Sequence, residues 1–131
     1  STYRYQMDKT AYSILDYAMR DTATFSRDTL RQWLSNLYRY GTEITRVLDY
    51  FGEKEYSSAY AVLNDVPNKI NLSQAQQADL TDLQTLLQTV EGKEFAGLSS
   101  SDKAVLETIT AHPGEYAPGL ARNLLGLNAM L

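Results

Sequence analysis

The histidine and the carboxylates are the residues of this chain whose types could do chemistry. His112 is the only histidine among 131 residues, and cysteine is absent. A Ser-His-Asp triad would have to use His112, and so would most catalytic zinc sites. Because His112 directly precedes Pro113-Gly114 at a predicted helix end, we interpret it as an exposed turn residue that interacts with helix carbonyls. We therefore predict no metal site, no cofactor and no catalytic residue.

Two pairs of carboxylates have a spacing that could support acid–base chemistry or calcium binding. Asp79 and Asp82 lie one turn apart on a predicted helix, and Glu91 and Glu94 lie on either side of its end. Neighbouring carboxylates can share a proton or hold a cation. The pairs are predicted to face away from the apolar stripe of Leu80, Leu83 and Leu87, so a solvated surface is the expectation. Two carboxylates converging in a cleft, with raised pKa values, would instead favour an enzyme.

Tyrosine and arginine give the clearest surface signal. Nine of the ten tyrosines lie within the first 60 residues. Both residue types are favoured at protein interfaces, because each offers a large contact area with a polar tip. We predict that a partner is bound by Tyr38, Arg39, Tyr40 and Tyr50. The alternative is that these tyrosines fill the space between helices, with their hydroxyls at the rim. Trp33 is expected to belong to the core.

Composition limits the classes of partner and the number of domains. The net charge is −4, and the acidic excess lies in residues 55–131, which carry nine Asp/Glu and four Lys/Arg. Without a basic run, nucleic acid is not an expected partner. No apolar run is long enough to span a membrane. The length predicts a single helical domain over residues 1–131, which we interpret as excised from a longer protein because it begins at Ser1.

The elements that must position these residues are predicted to be helices. Apolar residues recur at spacings of three and four, and no alternating pattern of useful length occurs. The predicted fold is all-α, with about seven helices in an irregular stack of antiparallel helical hairpins. The predicted helices cover residues 4–20, 26–41, 42–52, 56–65, 73–92, 102–111 and 118 onward. Gly41 is expected to end the second of these helices and Thr42 to cap the third. Ser73 and Gln76 have the spacing of a capping box at the start of the fifth.

The stretch from Gly52 to Pro67 is the most informative local pattern. It predicts a helix that ends at Gly52, a tight turn, and a second helix that begins near Tyr56. Ala59 and Leu63 share a face of that second helix, and the small Ala59 lets a neighbouring helix come close. Pro67 is expected to end it. This is the pattern of one tetratricopeptide-like hairpin, without a second copy at a fixed period.

A set of short motifs across residues 41–128 resembles a known group of helical segments. These motifs are Tyr56-Ser57-Ser58-Ala59 with Leu63 and Pro67, then Leu106-Glu107-Thr108-Ile109, then Ala121-Arg122-Asn123-Leu124-Leu125. They are similar to segments near the carboxyl end of large secreted surface proteins of Bacteroidetes. The resemblance implies a spacer or scaffold region of an exported multidomain protein at the cell surface, and it implies no catalytic residue.

The sequence favours a non-catalytic helical module, and not an enzyme. Such a module would position neighbouring domains of the same chain or bind a protein partner. Two alternatives stay open. The chain could be an accessory domain of an enzyme whose catalytic residues lie elsewhere, or a ligand-binding helical domain with a groove of tyrosine and arginine.

Overall fold

The computed structural model describes residues 27–130, and all regular structure in this range is helical. The predicted all-α class is therefore confirmed. The described range holds five α-helices instead of the about seven predicted for the whole chain, and the predicted helix over 4–20 lies outside it. The helices are α1 (Arg27–Gly52), α2 (Tyr56–Lys69), α3 (Gln74–Val90), α4 (Ser100–Thr110) and α5 (Ala117–Met130), with a 3₁₀ turn at Phe95–Gly97 before α4.

Helix α1 is one continuous helix where two were predicted. The first was expected to end at Gly41 and the second to be capped by Thr42, and both expectations are wrong. Gly41 is buried within the helix, and the buried Ile44 and Val47 continue its apolar stripe. The Thr42 hydroxyl donates to the carbonyl of Tyr38 at 2.9 Å, a bond within the helix. Burial of the stripe outweighs the helix penalty of glycine, about 1 kcal/mol.

The predicted turn between α1 and α2 is confirmed at both ends. Helix α1 ends at Gly52 and α2 begins at Tyr56. Phe51 and Tyr56 meet across the turn, with ring centroids 4.9 Å apart in an edge-to-face arrangement. Ala59 and Leu63 are buried on the face of α2 that packs against α1. This hairpin is the part of the first unit that the structure describes.

Helix α2 is predicted to end before Pro67, but in the structure it continues to Lys69. Proline within a helix removes one backbone hydrogen bond and crowds the preceding turn. Here the ladder resumes at once, because the amide of Ile70 donates to the carbonyl of Val66 at 3.0 Å. Val66 and Ile70 are both buried, so packing holds this last turn in helical form. The proline restricts the helix without terminating it.

Lys54 in the α1–α2 turn has a backbone conformation that suits glycine better than lysine. Its φ of 63° lies in the left-handed region, and it is the only described non-glycine residue with positive φ. We expect Lys54→Gly to raise the free energy of unfolding by about 0.5 kcal/mol, because relief of this strain exceeds the added chain entropy. Urea denaturation would measure the change. The matched change Glu53→Gly should destabilise by a similar amount, and equal effects of both variants would contradict the interpretation.

The described contacts form two compact units, which divide between Asn71 and Leu72. The first contains the α1–α2 hairpin, and in the second α3, α4 and α5 pack against one another. Units of this size can belong to one domain, so the single domain over residues 1–131 stays a prediction. No described helix combines the length and the apolar character that crossing a membrane requires.

Two helices of the second unit carry their own caps. For α3 the predicted capping box is confirmed, because Ser73 and Gln76 exchange side-chain and backbone hydrogen bonds. Ser99 and Asp102 form a second box at α4, which the sequence reasoning missed. The backbone amide of Ser99 and the ammonium of Lys93 donate to Asp102, and these bonds hold the pKa of its carboxyl below the usual value.

Candidate functional site

A groove of about 600 Å³, lined mostly by residues with polar groups, lies along the amino-terminal half of α1 in the first unit, and we call it the α1 groove. Its described walls carry two guanidinium groups, three amide side chains, two hydroxyls and one indole. They are formed by Thr29, Arg31, Gln32, Trp33, Ser35, Asn36, Arg39 and Asn71. None of these lining residues is acidic. The groove therefore offers hydrogen-bond donors and positive charge to a ligand.

The two arginines are held differently in the α1 groove. A guanidinium nitrogen of Arg39 donates to the carbonyl of Lys69, 2.5 Å away, in the last turn of α2. Carbonyls in a last helical turn lack intrahelical donors, so this bond satisfies the end of α2 and orders the arginine. Arg39 retains other N–H donors for a ligand, because a guanidinium has five. Arg31 is exposed and is not paired with an acid anywhere in the described chain.

The structure does not bring the four predicted partner-binding residues onto one face. Tyr38, Arg39 and Tyr40 lie in the middle of α1 and not at a helix end, and successive helical residues point about 100° apart. Tyr38 is 46% exposed, Tyr40 is fully buried, and Tyr50 is partly exposed near the end of α1. Only Arg39 lines the α1 groove. The buried Tyr40 side chain packs in the fold and offers no surface, whereas partner binding by the other three stays a prediction.

Other residues of the α1 groove were missed by the sequence reasoning. Trp33 was expected in the core, but it is partly exposed and lines the groove. A signal was present in the sequence: Arg31, Ser35 and Arg39 recur at intervals of four, as Gln32 and Asn36 do. Such spacing places polar side chains along a strip of one helix.

In the second unit, the carboxylate of Asp79 on α3 is 1% exposed and caps another helix. Its Oδ1 accepts from the amide of Ala117 at 2.9 Å and from that of Tyr116 at 3.2 Å. Helix α5 begins at Ala117, so these amides have no acceptor in their own helix. Pro118, next in line, carries no N–H. Asp79 thus supplies the acceptor and the negative charge that the start of α5 favours.

The expectation of a solvated face is wrong for Asp79. Asp79 precedes Leu83 by four residues and Leu86 by seven, and both leucines are fully buried. This spacing places all three on one face of α3, whereas the predicted stripe relied on Leu80, which is partly exposed. The spacing was the available signal for a buried carboxylate. Glu91 and Glu94 are exposed, as expected.

Residues 111–116 connect α4 to α5, and we call them the α4–α5 turn. His112 is exposed there, as predicted, but its partner is Asp82 and not a helix carbonyl. Its Nδ1 lies 3.0 Å from Asp82 Oδ2, and an ionised carboxylate can only accept, so Nδ1 carries the proton in this contact. Glu115 lies in the same turn. Burial of the Glu115 carboxyl and, to a smaller extent, the negative charge of Asp79 raise its pKa to about 7, although the residue as a whole is exposed.

The convergence of Asp79 and Glu115 does not form a reaction site. Asp79 is enclosed, and its oxygens are engaged by the amides of Tyr116 and Ala117. A substrate would have to displace those bonds and open α5 to reach it. The raised pKa of Glu115 follows first from burial of its carboxyl and then from the charge of this structural carboxylate. No group of three potential ligands among residues 27–130 could hold a metal ion.

Comparison of the chain with known protein families, characterised proteins and solved structures gives no match. The geometry of the α1 groove is therefore the main guide to what the chain could bind.

Proposed function

We propose that the chain is a non-catalytic helical interaction module that binds an acidic segment of a partner protein in the α1 groove. The observation that supports this function is the groove's charge. Arg31 and Arg39 line it, and no described lining residue is acidic. The whole chain has a net charge of −4, so a groove lined by two arginines and no described acid differs from the average surface.

The chemistry of the groove matches a peptide with carboxylate side chains. Guanidinium groups bind carboxylates through two parallel hydrogen bonds, which are stronger than bonds between neutral groups. The amide side chains of Gln32 and Asn71 can both donate to and accept from a peptide backbone. Trp33 adds an apolar plane with one N–H donor. Because Arg39 is already fixed by its bond to Lys69, less side-chain entropy is lost when it binds a ligand.

A larger context is part of this proposal. The resemblance to carboxyl-terminal segments of secreted surface proteins suggests that the module belongs to a longer, exported chain. There it would position neighbouring domains or hold a partner. The full-length sequence tests this part: a secretion signal and a carboxyl-terminal sorting domain would support it, and a full-length sequence without them would refute it.

We expect a short glutamate-rich peptide to change the fluorescence of Trp33 with saturable binding. Trp33 is the only tryptophan in the chain and lines the groove, so its emission reports occupancy directly. The same peptide with glutamine in place of glutamate should bind at least tenfold more weakly, since loss of charge-assisted bonds costs about 1.4 kcal/mol or more. Fluorescence titration at low and high salt would measure both affinities.

Substitution of the two groove arginines tests whether the peptide binds in the α1 groove. The double change Arg31→Gln with Arg39→Gln should weaken binding of the glutamate-rich peptide at least tenfold, by the same reasoning. Arg46→Gln is the matched control, because Arg46 lies on the same helix outside the groove and pairs with Glu43 at 3.0 Å. Equal affinity for the two peptides, or equal weakening by the control, would refute the proposed function.

A further inference from the structure

The α4–α5 turn is attached to α3 at both of its ends. At the start, His112 contacts Asp82 with a separation of 3.0 Å. At the end, the amides of Tyr116 and Ala117 bind the carboxylate of Asp79. The two acidic residues are three positions apart on α3 and therefore lie on one face, so both ends of the turn contact the same face of that helix. A carboxylate of α3 takes part in each of these attachments.

Gly114 brings the middle of the turn into close contact with the same carboxylate. A Cβ atom at this position would lie 2.5 Å from Oδ1 of Asp79 and 3.0 Å from Cδ of Pro118. The turn backbone therefore lies directly against Asp79, with no room for a side chain. Glu115 lies between Gly114 and Tyr116, which both contact this carboxylate, so its backbone is held close to a negative charge.

Few charged groups are available to compensate Glu115. Helix α3 contributes only Asp79 and Asp82, and α5 contributes only the cation Arg122. On α4 the charged residues are Asp102, Lys103 and Glu107, and Asp102 is already paired with Lys93. His112 and Tyr116 are the remaining titratable groups of the turn. Ionisation of Glu115 therefore adds a third carboxylate to the two of α3.

We propose that the α4–α5 turn is a pH-responsive latch, which mild acid fastens onto α3 and mild base loosens. Ionisation of Glu115 is opposed first by burial of its carboxyl and then by repulsion from Asp79, and protonation removes both penalties. The state of the latch sets how firmly the first turn of α5 is held.

The direction of the pH effect follows from the difference in proton binding between the folded and the unfolded state. The pKa of Glu115 is about 7 in the folded protein and 4.5 at its ordinary value, so between these values the folded state binds more protons than the unfolded state. Stability from this group is fully present below about pH 4.5 and is lost as the pH rises through about 7. The usual carboxylate behaves in the opposite way.

Hydrogen exchange of the Tyr116 and Ala117 amides tests the latch. We expect their protection factors, corrected for intrinsic exchange, to fall roughly tenfold between about pH 5.5 and about pH 8. The full rise in the pKa of Glu115 would allow a larger fall in protection, since one pKa unit corresponds to a tenfold change. Solvent screening at the exposed Glu115 reduces the expected fall. Unchanged or increased protection at the higher pH would overturn the proposal.

Variants separate the latch from general effects of pH. Glu115→Gln mimics the protonated side chain and should abolish the pH dependence at both amides, whereas the exposed control Glu107→Gln should retain it. The carboxyl resonance of Glu115, followed by NMR, gives an independent measurement. A midpoint near 7 supports the latch, and a midpoint near 4.5, or persistent pH dependence in Glu115→Gln, refutes it.

Discussion

Asp79→Ala is expected to lower the free energy of unfolding of the second unit by about 3 kcal/mol. The substitution removes a helix cap, which is worth about 1 kcal/mol, and leaves buried amides without an acceptor at a cost of about 1–3 kcal/mol. These amides belong to Tyr116 and Ala117, which are 3% and 0% exposed. Water therefore cannot replace the carboxylate unless α5 opens. Chemical denaturation followed through NMR signals of the second unit would measure the loss.

Asp79→Asn is the matched variant, because it keeps an acceptor oxygen and the shape of the side chain. It loses the negative charge at the start of α5, so we expect a smaller loss of about 1 kcal/mol. Either change should also lower the pKa of Glu115, to which the charge of Asp79 contributes. A loss below about 0.5 kcal/mol in Asp79→Ala, typical of surface sites, would show that Asp79 is not a structural cap.

Gly114→Ala is expected to destabilise the second unit by about 2 kcal/mol through overpacking. The added methyl group would meet Oδ1 of Asp79 at 2.5 Å, a distance that real Cβ atoms essentially never show. The carboxylate cannot move aside freely, because it is bonded to two backbone amides at the start of α5. The same denaturation experiment would measure the effect, and amide shifts at Tyr116 would report the displaced carboxylate.

Gly126→Ala is the control for the loss of a glycine within this part of the chain. Gly126 lies inside α5, and a Cβ atom there would meet nothing within 4 Å. Alanine should therefore stabilise α5 by up to about 1 kcal/mol, because it lowers the entropy of the unfolded chain. If both substitutions stabilised the protein, close approach at Gly114 could not be the reason for glycine there.

The sequence predicted those parts of the fold that depend on neighbours along the chain. The capping box at Ser73 and the turn after Gly52 involve residues within a few positions, and both are confirmed. The sequence predicts helix ends at Gly41 and Pro67 because each residue carries an intrinsic penalty within helices. Packing of the residues around them exceeds that penalty, and propensity alone does not contain this term.

The sites were harder to predict because they depend on distant residues. Asp79 acquires its role from amides 37 and 38 positions away, which no local pattern encodes. The α1 groove combines seven residues of α1 with Asn71, and only Arg39 among them was predicted to bind a partner. Burial of Tyr40 likewise depends on the helix continuing past Gly41. Tertiary contacts therefore decide which polar residues become structural and which remain available.

The cap of α5 has a consequence for how the second unit folds. Helices α3 and α4 are each capped by residues of their own first turn, so each carries a local start signal. Helix α5 instead takes its acceptor from Asp79, which it meets only after a loop of more than thirty residues has closed. The loop-closure entropy must be overcome before α5 gains its first turn. Formation of α5 is therefore conditional on assembly with α3, which makes the folding of the second unit cooperative.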